Sequence, residues 1–244
     1  MGREGRLYNP KFYRELKSTR HSAAEILPII LDLLKPVSIV DVGCGLGEWL
    51  AVGGDLGVGD FLGVDGDWVQ PSQLAIPVEK FLKHDLSTPL KLERRFDLAL
   101  SLEVAEHIPT DAARTFVQSV CRAADVAVFS AAIPGQGGRH HVNEQWPAYW
   151  ADLFQEFGYD CYDVLRPRLW NNPRVAWYYA QNCLIFARHP QALLGAAVRP
   201  LPLVHPALWS AEVSRMKSPG KLLERLPKAF LATLRAFAGS GKSR

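Results

Sequence analysis

Two groups of residues have the types and spacing of chemical machinery. The first is Asp41-Val42-Gly43-Cys44-Gly45-Leu46-Gly47, which follows an apolar run from Ser38 to Val42 and precedes a helical pattern that begins near Glu48. Glycines at such a junction permit a tight turn and let the backbone approach a ligand closely. A dinucleotide loop has the spacing GxGxxG. Here the spacing is GxGxG, Glu48 stands where the last glycine should be, and Asp41 lies two positions before the first glycine. A pyrophosphate is disfavoured by carboxylates beside a helix N-terminus, whereas a cationic amino-acid group tolerates them. The loop therefore suits S-adenosyl-L-methionine better than NAD. About twenty residues on, Asp65 ends the run Phe61-Leu62-Gly63-Val64-Asp65, where a carboxylate can accept both ribose hydroxyl hydrogens. His84-Asp85-Leu86 then offers a carboxylate to an adenine amino group and an apolar flank to the ring.

The second group has the chemistry of acceptor activation. Glu103-Val104-Ala105-Glu106-His107 places two carboxylates and an imidazole at i, i+3 and i+4, so three ligand atoms converge if the segment turns helically. His140-His141-Val142-Asn143-Glu144 can supply a further imidazole. Oxygen-rich ligation with one or two imidazoles suits Mg²⁺, Mn²⁺ or Fe²⁺ better than structural zinc. The expected metal set is Glu103, Glu106, His107 and His141, and the expected catalytic residues are His107, His140, His141 and Glu106. Without a metal, an imidazole titrating near working pH can serve as general base. Gly135-Gln136-Gly137-Gly138, just upstream, reads as a mobile lid or as an ordinary turn.

These residues need a scaffold that gathers them at one end. Ser38 to Val42, Phe61 to Asp65, Phe96 to Leu100 and Val126 to Phe129 read as buried parallel strands alternating with helical patterns, which implies an α/β doubly wound sheet. Ligands of such sheets lie outside the carboxyl ends of the strands, where both groups fall. The pattern predicts a helix from Ser22 to Leu34, a helix capped by Thr110, and a helix with Pro147 in its first turn that Gly158 ends. Cys161 to Leu165 and Asn182 to Phe186 read as two antiparallel edge strands, with Arg166 to Arg174 between them as a candidate substrate loop. Trp146, Trp150, Trp170, Trp177, Tyr178 and Tyr179 lie among Arg166, Arg168, Arg174, Gln181 and Asn182, a mixture suited to a sugar, half of it expected to be core.

In this order the strings resemble class I S-adenosylmethionine-dependent methyltransferases over roughly residues 22–188, with DVGCGLG as first motif, Asp65 as acidic second, HDL as third and FDLALSLEVAEHIP as fourth. The resemblance implies a Rossmann-like, mostly parallel seven-stranded sheet with an antiparallel last strand. It implies cofactor contacts from Asp41, Gly43, Cys44, Gly45, Gly47, Asp65, Gly66, Asp85, Leu86 and Ser101. Tyr8, Phe12 and Tyr13 would contribute a lid over the cofactor. The chain is also similar to a bacterial methyltransferase group that shares AAIPGQGGRHHVNEQWPAYW and RPRLWNNPRVAWYYAQN, members of which accompany glycan or natural-product gene sets. ExxEH with a distant histidine resembles the metal site of small-RNA 2′-O-methyltransferases.

Composition bounds the remainder. A chain of 244 residues fits one large domain with appendages, expected as residues 1–21 (N-terminal lid), 22–190 (catalytic domain) and 191–244 (Pro-containing linker and basic amphipathic helix). The start of the chain lacks the layout of a signal peptide and no run of residues is apolar enough to span a bilayer, so a cytoplasmic protein is expected. Four separated cysteines make no CxxC pair and are expected as reduced core thiols. The net charge of +3 divides into +6 for residues 217–244, which hold seven Lys/Arg against Glu224, and −3 for the rest. The body thus has no nucleic-acid footprint, and the tail is either a docked helix or a peripheral membrane contact. The expected activity is methyl transfer to a hydroxyl of a small-molecule or glycan acceptor, with Mg²⁺ or Mn²⁺ as a candidate metal. Nitrogen, carboxylate or RNA acceptors, and a non-catalytic cofactor-binding protein, stay open.

Overall fold

The computed structural model describes residues 10–188 and 197–216, with side chains over 18–188 and 197–214. The elements run α1 (Pro10–Leu34), β1 (Ser38–Val42), α2 (Glu48–Asp55), β2 (Asp60–Asp65), β3 (Phe81–Lys83), β4 (Leu98–Leu102), α3 (Ala113–Ala123), β5 (Val126–Ser130), α4 (Pro147–Gln155), β6 (Asp160–Tyr162), α5 (Arg166–Leu169), α6 (Trp177–Asn182), β7 (Leu184–Ala187) and α7 (Pro206–Met216). They build a seven-stranded sheet in the order β3-β2-β1-β4-β5-β7-β6. Strands β1 to β5 pair in parallel, and β7 runs antiparallel to both β5 and β6. This is the Rossmann-like architecture expected from the sequence, with a single reversed strand.

Every residue of β1, β4 and β5 is buried because helices cover both faces. Side chains alternate across the sheet, which divides the core in two. Ile39, Leu98, Leu100 and Val128 pack with Ile26, Leu27, Ile30, Leu50 and Tyr179 beneath α1, α2 and α6. Val40, Val42, Ala99 and Phe129 pack with Phe116, Val120, Trp150 and Phe154 beneath α3 and α4. Phe154 stacks on Phe186 at 4.0 Å and meets Phe129 edge-on at 5.2 Å, and each such buried ring stabilises the fold by about 2 kcal/mol.

Several boundaries differ from the expectation for local physical reasons. Helix α1 is continuous through residues 21 and 22, so Ser22 is not a start signal: its hydroxyl donates to the Ser18 carbonyl and accepts the Ala176 amide. Thr110 does not cap α3, because its hydroxyl donates to Asn143 and α3 begins three residues later. The strand expected at Phe96 to Leu100 is displaced to β4, Leu98–Leu102, with Phe96 making a lone bridge to Ala124. Strand β6 stops at Tyr162 because Asp163 turns to pair with the buried Arg166, and Arg166–Leu169 form a helical turn rather than an open loop. Asn182 closes α6 and lies outside β7.

The compact unit holding the sheet extends to Leu203, and the described part of the expected linker, residues 197–203, is attached to it through the Val198 amide on the Cys161 carbonyl and Arg199 on Asp152. Residues from Val204 form a second unit, of which the described part is α7, a helix that the sequence reading missed although Pro206 starts it. The apolar pattern of Leu222 to Phe237, the basic tail and the side chains of Tyr8, Phe12 and Tyr13 lie outside the described residues. Among the described residues no helix is long and apolar enough to cross a membrane, and all four cysteines are buried free thiols.

A candidate active site at the carboxyl end of the sheet

The glycine loop is the hinge between β1 and α2. The amides of Gly43 and Cys44 both donate to the Val64 carbonyl of β2, at 2.8 and 3.2 Å. Gly43 has φ 94° and lies so close to the segment after β4 that a Cβ would fall 2.4 Å from Val104. Gly45, with φ 54°, has nothing within 4 Å of its would-be Cβ, so the tip of the loop faces open space. Asp65 ties down that tip: one carboxylate oxygen accepts the Gly45 amide at 2.6 Å and the other accepts the Gly66 amide at 2.6 Å. The Trp68 side chain also bonds to Asp65, a partner for which the sequence carried no signal beyond an aromatic three residues downstream.

The surroundings of this loop are acidic and dry. Asp41 is buried with one oxygen lacking any hydrogen bond, and burial followed by the charge of Asp65 pushes its carboxyl well above the usual range. Burial raises the Asp65 carboxyl too, against the pull of the Gly45 and Gly66 amides. The Ser101 hydroxyl is buried and unpartnered. Cys44 supplies packing against Gly63, its thiol held neutral by burial and the nearby aspartates. Asp85 is exposed, and one oxygen takes the amide and hydroxyl of Ser87 in a turn, while Leu86 joins the core beside Val64.

The expected helical turn from Glu103 does not form. Glu103 has φ 56° and Val104 is extended in φ, so the helical turn starts only at Ala105 and covers Ala105–His107. Glu103 therefore leaves the metal set. Its oxygens accept Gln136 Nε2 at 2.7 Å and Asn182 Nδ2 at 3.0 Å, and Gln181 closes this buried amide network. Gln136 was read only as part of a loop, and its burial follows from Glu103, a long-range partner that spacing does not reveal. The ligand atoms of Glu106, His107 and His141 lie within 4.8 Å of one another. Neither carboxylate oxygen of Glu106 has a well-formed hydrogen bond, and burial, then Glu103 and Glu144, push its carboxyl far up against the weaker pull of the Glu106 and Ala132 amides.

The segment that brings His141 here hangs on the backbone of Glu106, whose carbonyl accepts the amides of Val142 and Asn143 at 2.9 and 3.0 Å. The rings of His107 and His141 meet edge-on at 4.9 Å. His107 Nδ1 lies 3.3 Å from the His140 carbonyl, so His140 contributes its backbone and its exposed ring stands outside the cluster. Burial and the two neighbouring histidines depress the His107 pKa, which keeps a neutral imidazole with a free lone pair on Nε2. Asp41, Asp65, Glu103 and Glu106 thus concentrate four buried or half-buried carboxylates at one end of the sheet, and among the described residues none is paired with Lys or Arg. Such a place attracts a cation.

Comparison with known proteins places this geometry. Residues 13–164 match a family described as a methyltransferase domain. No curated protein matches the chain. Among solved structures, DesVI of Streptomyces venezuelae is 15% identical, with a TM-score of 0.56 over 78% of this chain and 100% of its own. CalS10, an amino pentose methyltransferase from Micromonospora echinaspora solved with S-adenosylmethionine bound, is 15% identical, with a TM-score of 0.54 over 75% of this chain and 98% of its own. The methyltransferase domain of bacterial CtHen1 is 16% identical, with a TM-score of 0.51 over 68% of this chain and 98% of its own. A family match over more than half of the chain, the shared fold and an open glycine loop in acidic surroundings agree: the chain belongs to the methyltransferase-domain family and is an S-adenosylmethionine-dependent methyltransferase.

Proposed function

We propose that the protein methylates a hydroxyl of a sugar or another polyhydroxylated small molecule, and that Glu106, His107 and His141 activate that hydroxyl with a divalent cation. The observation that carries the reading is Glu106, a buried carboxylate that the Glu106 and Ala132 amides reach only in poor geometry, facing two imidazoles within ligand distance. An orphaned buried carboxylate is costly and calls for an explanation, and a Mg²⁺ or Mn²⁺ site is one that fits an oxygen donor flanked by imidazoles. When bound, the cation supplies Lewis acidity that lowers the pKa of a hydroxyl placed against it. The cofactor supplies the electrophilic methyl group. Around it the chain's own residues do defined work: Gly43 to Gly47 and Asp65 shape the nucleoside end, and Asp41 with Asp65 favours the cationic amino-acid end. Trp146 and Val142, 40% and 60% exposed on the segment that carries His141, offer apolar faces to a sugar ring, and the exposed Arg139 of the same segment offers a charge to an acidic substituent.

A second reading has its own support. His107 is neutral at working pH with its Nδ1 side turned to a carbonyl, which leaves Nε2 able to take a hydroxyl proton without any metal. Calorimetry on EDTA-treated protein separates the two. Titration with S-adenosylhomocysteine followed by Mn²⁺ should give saturable metal binding that His107→Ala abolishes. Cofactor binding with no metal isotherm would leave His107 as the base and overturn the metal reading.

A further inference from the structure

Glu144 belongs to neither the cofactor loop nor the metal-ligating cluster, yet it joins a loop and an imidazole of the reactive end through one carboxylate. One of its oxygens accepts the Gly137 amide at 2.8 Å and lies 2.8 Å from His141 Nδ1; the other accepts the Gly135 amide at 2.8 Å. Both glycines have positive φ, 84° and 67°, which turns their amides inward onto one carboxylate. The side chains of Glu144 and His141 are 20% and 13% exposed, so these bonds are largely sheltered from water. Over the face of the same ring lies Gly138, where a Cβ would fall 2.0, 2.3 and 2.6 Å from His141 Nε2, Cε1 and Cδ2.

We propose that Glu144 is a positioning residue that sets the tautomer of His141 and latches the loop of residues 135–138 over it. A carboxylate at Nδ1 holds the proton there and leaves the lone pair on Nε2, as carboxylates behind metal-ligating histidines do. The face of the ring is covered by Gly138, and the loop carrying Gly138 is tethered by the same carboxylate. The two settings are therefore linked: one carboxylate fixes the tautomer at Nδ1 and holds the loop against the ring face, which leaves the Nε2 edge open for ligation or base duty. Glycine is required at 138 because any side chain there would occupy the space of the imidazole. The inference rests on the proposed role of His141, but its central claim, the tautomer and its cause, is measurable without substrate or metal.

The test is ¹⁵N–¹H correlation spectroscopy of histidine-labelled, full-length protein at neutral pH, with His141 assigned from a His141→Asn variant. Wild-type His141 should appear as the Nδ1–H tautomer. Glu144→Ala should convert it to a mixed or Nε2–H population and weaken Mn²⁺ binding by about tenfold or more, the usual effect of removing such a partner, while leaving S-adenosylhomocysteine affinity unchanged. Glu144→Gln, which keeps one carbonyl acceptor, should retain the tautomer and rescue part of the metal affinity. Gly138→Ala should displace the ring with Glu144 intact. An unchanged His141 tautomer in Glu144→Ala overturns the proposal. If that variant does not fold, an Nε2–H tautomer in the wild type or in Glu144→Gln overturns it equally. Loss of the tautomer in a protein that binds no Mn²⁺ would support the latch while removing the metal reading, so the two fail separately.

Discussion

The Asp65 carboxylate accepts the Gly45 amide at 2.6 Å, so the residue proposed to hold a ribose is also the one that pins the tip of the glycine loop. Removing it costs two things together. Asp65→Ala should weaken S-adenosylhomocysteine binding by ten- to a hundredfold, about 1.5–3 kcal/mol for hydrogen bonds to a charged group. Unchanged affinity by calorimetry would remove Asp65 from the site.

Burial raises the carboxyls of Asp41 and Asp65, and the sign of the consequence differs for stability and for binding. A carboxyl whose folded pKa exceeds its unfolded value binds its proton more tightly in the native state. Stability therefore rises as pH falls from neutral through the raised values toward the ordinary Asp value of about 3.9. Affinity for the cationic cofactor falls over the same window, because the protonated forms lose their attraction. Melting curves and calorimetry across pH 7 to 5 should diverge in this way, and Asp41→Asn should flatten part of both.

Gly43 and Gly45 share a left-handed backbone but differ in what surrounds them. Gly43→Ala drives a Cβ to 2.4 Å from Val104 and should cost roughly 2–4 kcal/mol by combining overpacking with αL strain. Gly45→Ala meets open space and should cost only about 1–2 kcal/mol in stability, while weakening cofactor binding more than Gly43→Ala does relative to its melting temperature. Equal losses of melting temperature would contradict the packing difference.

Glu106 is predicted to be a stability liability kept for chemistry. Glu106→Met preserves volume and removes two buried oxygens that lack a well-formed hydrogen bond, so the metal-free protein should melt higher, by about 1 kcal/mol in unfolding free energy. The same variant should bind no Mn²⁺. A lower melting temperature would show that Glu106 is structurally satisfied.

What could be read in the sequence was whatever short-range spacing and burial dictate. The strand at Ser38 to Val42, its glycine loop and Asp65 are adjacent in a βαβ unit, so their order already fixed their meeting. Glu106 with His107 was visible as a turn. The assignment of Glu103 failed because it assumed helical geometry at a residue whose φ is 56° and whose partners, Gln136 and Asn182, arrive from 33 and 79 residues away. Thr110 failed for the same reason, since a side chain suited to a cap was taken by Asn143. Glu144 was noticed as part of a string, but its three donors depend on the fold of the 135–138 loop.

The reversal of β7 lets the chain leave the sheet beyond β6 and re-enter from the same rim as the cofactor loop. The protein is thus assembled in two passes: an early pass that sets the glycine loop, Asp65 and Glu106 by residue 107, and a late return that lays Gln181 and Asn182 beside Glu103. Variation in residues 163–174 can reshape that rim without rethreading the earlier pass. The rim is in this way open to change while the glycine loop stays the same.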